Sequence, residues 1–157
     1  MTTAPEDTTA LIDHIMTRYH DSHRAQLPDL AALALKVERV HADAPAAPLG
    51  LAALLQHLIG TLEVHMKKEE LILFPAMRAG GGPGVANPIA VMRADHDDHV
   101  AEIAQIRALT DNLTLPEGAC RTWTALYHGL QDFVDDLAEH IRLENTILFP
   151  RFDGMKH

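Results

Sequence analysis

The sequence has few aromatic residues and a single cysteine. Aromatic side chains make up 4% of the 157 residues, while Leu and Ala dominate, and this composition favours helices over sheets. Because Cys120 has no second cysteine to pair with, the chain cannot form an internal disulfide or a zinc site built from thiolates. We therefore expect a helical fold without a disulfide framework.

Long apolar runs and an excess of positive charge are also absent. No apolar stretch reaches the roughly 18 residues that a membrane span needs, and residues 1–7 lack the basic start and apolar stretch of a signal peptide. The formal net charge of -9 disfavours binding to nucleic acid or to an anionic membrane. We therefore expect a cytoplasmic protein, either a monomer or a homodimer, that binds neither nucleic acid nor membrane.

Proline and glycine divide the chain into four long segments. The breaks fall at residues 45–50, 79–88 and 111–116. Within each segment the core-facing positions recur at intervals of three and four residues, which predicts helices. Long helices with short connections pack as antiparallel neighbours. The pattern predicts an all-α fold, an antiparallel up-down four-helix bundle that forms one domain over residues 1–157.

Histidine and glutamate occupy several expected core positions in these helices. The core series of the second segment ends with Leu62, His65, Glu69, Ile72 and Ala76. The series of the fourth segment ends with Leu137, His140, Glu144 and Ile147. In the first segment, Pro28 should kink or split the helix because it removes one backbone donor.

The second and fourth segments share a repeat in which glutamate follows histidine at +4 and Leu-Phe-Pro follows at +8 to +10. The two copies are His65, Glu69 and Leu73-Phe74-Pro75, and His140, Glu144 and Leu148-Phe149-Pro150. Residues four apart on a helix project in the same direction, which here is the apolar stripe, and each proline is expected near the helix end. Burying an unpaired carboxylate costs several kcal/mol. We therefore expect a metal cluster that compensates these charges.

Imidazole and carboxylate without thiolate suit iron, manganese or zinc. Two octahedral ions need roughly twelve donor positions, and two bridging glutamates, one bridging oxygen and five histidines leave one position open. The five candidate histidines are His20, His41, His65, His96 and His140. However, His20 and His41 would lie about 30 Å apart on a straight helix. Either the chain bends sharply around Pro28, or one of the two comes from a separate segment.

The same residues resemble the RIC (repair of iron centres) proteins. The matching motifs are Tyr19–Arg24 with Leu27-Pro28, Lys36–His41, His65–Pro75, Met92–Asp97 and His140–Arg151. Those proteins carry a haemerythrin-like di-iron domain, and the resemblance covers nearly the whole chain.

The resemblance implies a set of iron ligands in which the two glutamates bridge. These ligands are His20, His41, His65, Glu69, His96, His140 and Glu144. It implies two non-haem iron ions with an oxo or hydroxo bridge, and a chain that approaches them at both His20 and His41. The implied role is protection or repair of iron-sulfur clusters under nitrosative or oxidative stress. Damaged iron-sulfur proteins would be partners, and nitric oxide or dioxygen would react at the iron site.

Some residues depart from the family pattern or stand outside the ligand set. Full-length RIC proteins carry an N-terminal domain with adjacent cysteines, which this sequence does not contain, so we expect another partner or a narrower role. His23 and His99 are expected behind the ligands or along an access route. Glu70 and the neighbouring lysines are expected on a solvated face.

Three other functions fit parts of the pattern. A haemerythrin-like oxygen-binding or sensing protein would use the same open position for dioxygen. A ferritin-like oxidase usually has Glu-x-x-His on two helices, whereas histidines outnumber carboxylates here. A hydrolytic zinc enzyme needs room for a substrate, which a nearly full ligand shell does not leave.

Overall fold

Four helices make up the described part of the chain, residues 7–153 of a computed structural model. Helix α1 consists of Thr8–His14, Ile15–His20 and Asp21–Val40, and helix α2 consists of Leu51–Lys68, Glu69–Leu73 and Phe74–Arg78. After a 3₁₀ turn at Pro83–Val85, helix α3 spans Ala86–Leu109, and helix α4 consists of Arg121–Leu143, Glu144–Leu148 and Phe149–Arg151. No strand occurs among these residues, which confirms the all-α class.

Residues 1–6 and 154–157 of the expected domain, and so most of the segment 1–7 that was compared with a signal peptide, lie outside the described residues. Within residues 7–153, none of the helices combines the length and the apolar character that crossing a membrane requires.

The four helices are antiparallel, as the order of two apolar clusters along them shows. The larger cluster includes Leu27, Leu30, Ala34, Leu55, Leu58, Leu62, Ile106, Trp123, Leu130 and Phe133. The smaller cluster includes Leu11, Ile15, Phe74, Met77, Val85, Ile89, Met92, Leu148 and Phe149. The chain meets the smaller cluster first along α1 and α3, and the larger cluster first along α2 and α4. The predicted up-down four-helix bundle is therefore confirmed.

The turn between α1 and α2 is held by a side chain of α1. The Glu38 carboxylate accepts the backbone N–H groups of Gly50 at 2.7 Å and Ala52 at 2.8 Å. The first amides of a helix have no partner within the helix, so Glu38 caps α2. Gly50 has a φ of 95°, a left-handed conformation that favours glycine.

Proline does not interrupt these helices as expected. The α-helical segment Asp21–Val40 continues through Pro28, so this residue does not split α1. Pro75 begins a further helical turn that extends to Arg78, because its missing N–H falls where a new segment starts. Because the helix continues through Pro28, His20 and His41 lie at opposite ends of one helical segment.

π-helical turns shift the core register near the ends of α2 and α4. Ile72 was expected in the core, but it is 61% exposed, and Leu73 is buried in its place. In α4, Leu148 is buried while Ile147 is only half-buried. A π turn contains one residue more than an α turn, so every position after it moves round the helix by one residue. The unbroken 3.6-residue period assumed for the sequence therefore misplaces the core at these ends.

Gly129 of α4 tests the packing between α1 and α4, and Gly60 of α2 serves as the reference. A Cβ at Gly60 of α2 meets no atom within 4 Å, whereas a Cβ at Gly129 of α4 lies 2.6 Å from Leu30 Cδ2. Gly60→Ala should stabilise the protein by about 0.5–1 kcal/mol through helix propensity. Gly129→Ala should lose about 1–3 kcal/mol to overpacking, which cancels or exceeds the same gain. Urea unfolding measures both, and an equal gain at the two positions would contradict the close approach of α1 and α4.

Candidate metal centre

Six polar side chains converge in a layer between the two apolar clusters. Each helix contributes one histidine, and α2 and α4 add one glutamate each. The six are His20, His65, Glu69, His96, His140 and Glu144, and each is at most 1% exposed. Along each helix, these residues lie where the chain passes from one cluster to the other.

π-helical turns bring three of the four helices to this layer. Ile15–His20, Glu69–Leu73 and Glu144–Leu148 are π-helical, so the turns end at His20 or begin at a glutamate. The N–H of Phe74 donates to the carbonyl of Glu69, and the N–H of Phe149 donates to that of Glu144, both five residues back. Such single π turns occur often at functional sites. Nothing in the apolar periodicity of the sequence indicated them.

The six side chains form two groups that share both glutamates. One group is His20, Glu69, His140 and Glu144, and the other is His65, Glu69, His96 and Glu144; the ligand atoms in each lie within 4.8 Å of one another. Donor atoms on neighbouring positions of one metal ion with bonds of about 2.1 Å lie about 3 Å apart. Each group therefore has the size of one metal site.

Each carboxylate turns one oxygen towards each group. Oε1 of Glu69 lies 3.1 Å from His20 Nε2, and its Oε2 lies 3.4 Å from His65 Nε2. Oε2 of Glu144 lies 2.8 Å from His140 Nε2, and its Oε1 lies 2.8 Å from His96 Nε2. This arrangement is the one that two carboxylates need in order to bridge two ions.

Several of these atoms are buried without a hydrogen-bond partner. They are Nε2 of His20, His65 and His96, both carboxylate oxygens of Glu69, and Oε1 of Glu144. Buried polar atoms of proteins are almost always paired, and unpaired charge in an apolar interior is costly. Orphaned imidazole nitrogens and carboxylate oxygens about 3 Å apart are what cations between them would satisfy. The residues therefore fit a pair of metal ions.

The other ring nitrogen of three of the histidines donates to an oxygen atom outside the layer. The acceptors are Glu70 Oε2 for His20 at 2.7 Å, Asp95 Oδ2 for His65 at 3.1 Å and Asn145 Oδ1 for His96 at 2.8 Å. Such a bond fixes the tautomer in which Nε2 carries a lone pair for a metal. For His140, the outer atom is Nε2 of His23 at 3.0 Å.

The sequence did not reveal these outer partners. Glu70 was expected on a solvated face, but its side chain is 12% exposed and contacts both His20 and Arg24. A usable signal existed, because Glu70, Asp95 and Asn145 each directly adjoin one of the six converging residues. Each partner contacts a histidine on a helix other than its own. Such contacts follow from the bundle geometry and cannot be read from the sequence.

The buried carboxylates and imidazoles of the site shift one another's pKa values. Burial and the neighbouring Glu144 raise the pKa of Glu69 well above its ordinary value. The pKa of Glu144 lies well below its ordinary value although burial acts to raise it, because His140 and the other imidazoles stabilise its charge. Burial acts to lower the pKa of His65, yet Glu69 and Glu144 raise it to about 11. Protons therefore neutralise the site until a cation displaces them.

The structure does not bring His41 to this cluster. It directly follows the continuous helix Asp21–Val40, about 30 Å along the axis from His20. Its Nε2 lies 3.3 Å from Cys120 Sγ, and its ring lies 4.8 Å from the Trp123 ring. The spacing had indicated that His20 and His41 are too far apart on a straight helix to bind one cluster, and the structure agrees. Six of the seven expected ligands therefore lie together.

The two additional histidines lie next to the cluster. His23 is fully buried against His140. The ring of His99 lies 5.2 Å from that of His65, and its Nδ1–H donates to Glu102 at 2.9 Å. His99 also lines a cavity of about 880 Å³ between α2 and α3. These positions agree with the expected places behind the ligands or along an access route.

Acid should destabilise the metal-free protein between about pH 6.5 and pH 4. Burial, with His140, lowers the pKa of His20 to about 4 and that of His23 to about 2 from 6.5. Below pH 6.5 the unfolded chain therefore binds a proton at each of these two histidines that the folded chain does not, and the proton that the folded chain holds on Glu69 offsets only one of the two. Each group contributes stability that is complete above pH 6.5 and falls by about 1.4 kcal/mol per pH unit on acidification.

Urea unfolding of chelator-treated protein from pH 7 to pH 4.5 measures this slope. His23→Gln should reduce the slope by about one proton, while His128→Gln, at an exposed position, should leave it unchanged. Equal slopes for His23→Gln and the unsubstituted protein would contradict the neutral buried state of His23.

Comparison with known proteins agrees with this geometry. The family model described as hemerythrin HHE cation binding domain matches residues 11–152, which include all six converging residues. The chain is 53% identical over 143 residues to the iron-sulfur cluster repair protein YtfE of Yersinia pseudotuberculosis serotype O:1b (strain IP 31758). It is 52% identical over 143 residues to the protein of the same name from Yersinia pestis (strain Pestoides F).

Each match covers 91% of this chain and 65% of the relative, so the chain spans slightly less than two thirds of the length of these curated relatives. The resemblance to the proteins that repair iron centres is thereby confirmed. Because the family model matches far more than half of the residues, the chain belongs to the hemerythrin HHE cation binding domain family.

Proposed function

We propose that this chain holds a non-haem di-iron centre on the six converging residues, with Glu69 and Glu144 as bridges. The observation that carries the proposal is the position of the four carboxylate oxygens, one from each glutamate in each group. The orphaned buried atoms support it, because a metal pair would supply the partners that the protein lacks.

The donor set agrees with iron. Four imidazole nitrogens and four carboxylate oxygens, without thiolate, suit iron, manganese or zinc, and the relatives are named for repair of iron-sulfur clusters. Two octahedral ions take about twelve donors, so eight protein donors leave four positions. An oxo or hydroxo bridge would fill two of these and leave two for small ligands. The count from the sequence, which included His41, left only one.

We further propose that the chain protects or repairs iron-sulfur clusters under nitrosative or oxidative stress. Bound iron would supply redox chemistry and a position where nitric oxide or dioxygen reacts. Damaged iron-sulfur proteins are the partners that this role implies. The identity to YtfE proteins supports the proposal. The cytoplasmic location and the choice between monomer and homodimer stay predictions.

The protein's own residues prepare this chemistry. The apolar clusters on both sides exclude water from the layer, which strengthens the electrostatic interactions inside it. Glu70, Asp95 and Asn145 hold the outer ring nitrogens and so orient three imidazoles. The cavity between α2 and α3 is lined by His99 and by Asp95, which contacts His65. Small ligands would approach the layer from this side.

A haemerythrin-like oxygen-binding or sensing role is the second candidate. The family description favours it, and the same open positions would take dioxygen reversibly. The two roles separate on exposure of the reduced protein to air. A stable oxygenated visible spectrum that lasts for minutes favours oxygen binding, whereas rapid oxidation without such a species favours the repair role.

The ligand set predicts different effects for two histidine variants. His96→Ala should lose at least half of the bound metal, because His96 Nε2 is one of the two imidazole donors of its group. His41→Ala should keep both metal ions, since His41 contacts Cys120 and Trp123 instead. Elemental analysis of the purified variants measures this directly. Loss of metal from His41→Ala with intact helical content would restore the seven-ligand set and contradict the structure.

The repair function is tested with the reduced, iron-loaded protein under exclusion of oxygen. We expect a change in its visible spectrum on addition of nitric oxide, and recovered activity of a client enzyme whose iron-sulfur cluster has been damaged. His96→Ala serves as the variant with a defective centre and Glu139→Gln as a control at a surface position. If the wild-type protein neither reacts with nitric oxide nor restores the activity of the client enzyme, the proposed repair role is wrong.

A further inference from the structure

The outer nitrogen of His140 differs from those of the other three histidines in the layer. The outer ring nitrogens of His20, His65 and His96 donate hydrogen bonds to oxygen atoms, which act only as acceptors in these bonds. His140 Nδ1 instead faces His23 Nε2 at 3.0 Å. A neutral imidazole has one N–H and one lone pair, so the direction of this bond depends on where the proton of His23 lies.

An ion pair between Arg18 and Asp136 lies at the surface close to His23, and Gln26 contacts it. The Asp136 carboxylate accepts from Arg18 at 2.8 Å on one oxygen and from the side-chain amide of Gln26 at 3.1 Å on the other. A carboxylate can only accept, so the NH₂ group of Gln26 must face Asp136. The carbonyl oxygen of Gln26 therefore points away from Asp136.

The atoms between Gln26 and His23 are complementary. Gln26 Oε1 and His23 Nδ1 are both buried and have no other hydrogen-bond partner. Gln26 follows His23 by three residues in the same α-helical segment, so the two side chains are neighbours on one face of α1. An acceptor next to Nδ1 favours the tautomer of His23 that carries its proton there.

The direction of every bond follows from this arrangement. If His23 carries its proton on Nδ1, its Nε2 is the acceptor and His140 must donate from Nδ1. Nε2 of His140 then keeps its lone pair, and this atom lies 2.8 Å from Glu144 Oε2 within the group that also contains His20. A lone pair on Nε2 is what a metal ion at that position requires.

We propose that Asp136 is a positioning residue of the metal centre, which sets the metal-binding tautomer of His140 through Gln26 and His23. The inference rests on the proposed function, because it requires a metal at the group of His20 and His140. It concerns only that group, since the other group has no ligand held by another histidine. The effect of Asp136 should therefore fall on one of the two metal positions.

The first test reads the tautomer of His23 directly. Zinc-loaded protein is diamagnetic, and zinc accepts the same imidazole and carboxylate donors. In nitrogen-proton correlation spectra of the histidine side chains, wild-type His23 should carry its proton on Nδ1. A proton on Nε2 of His23 would overturn the inference without any substitution.

The second test uses a carboxylate exchange. Asp136→Asn lets the amide of Gln26 turn round, and zinc affinity should fall by up to about tenfold at one of two positions in a calorimetric titration. The double variant Asp136→Asn, Gln26→Glu moves the carboxylate to position 26, where it accepts from both neighbours, and should restore that affinity. Arg18→Gln is the matched control, because it removes the ion pair and leaves the Asp136–Gln26 bond.

The outcomes separate this inference from the proposed function. Fewer than two zinc ions on the wild-type protein would contradict the metal centre itself. If the wild type binds two zinc ions and Asp136→Asn binds them with unchanged affinities, only the role of Asp136 is overturned. The same holds if the double variant does not recover the lost affinity. If Asp136→Asn does not fold, Gln26→Leu removes the acceptor of His23 and keeps the ion pair. It should weaken the same position, and unchanged binding would again overturn the inference.

Discussion

The structure depends on the burial of two carboxylates that face the same two groups of imidazoles. Glu69 and Glu144 are fully buried, and each directs its oxygens to both groups. The apolar clusters on either side could pack around a continuous hydrophobic layer at no electrostatic cost. A layer of charge in their place is stable only with cations or protons between the ligands. Cations or protons bound in the layer should therefore stabilise the folded bundle.

The π turns connect this layer to the rest of the fold. They place Glu69 and Glu144 at the start of a widened turn and move the following residues by one position. The same shift buries Leu73 and exposes Ile72. One backbone feature thus shapes the polar site and the smaller apolar cluster, to which the leucine and phenylalanine of each Leu-Phe-Pro sequence contribute.

Much of this could be predicted from the sequence, because helix periodicity placed the repeated histidine and glutamate on core faces. The antiparallel bundle then brought six of the seven expected residues together. His41 was included to fill the donor count and was kept because of the family resemblance, although its spacing from His20 along one helix argued against it, and the helix proved continuous. The partners Glu70, Asp95 and Asn145 were missed because contacts between helices depend on rotation about each axis. The π turns, which are not encoded in an apolar period, change that rotation locally.

The proposed centre consists of two iron ions in the layer, joined by shared carboxylates. A Mössbauer spectrum of wild-type protein enriched in ⁵⁷Fe, recorded after oxidation, tests it most directly. We expect the spectrum of a spin-coupled pair of ferric ions that accounts for nearly all of the iron. A spectrum of isolated, magnetically independent iron would contradict the bridging role of Glu69 and Glu144.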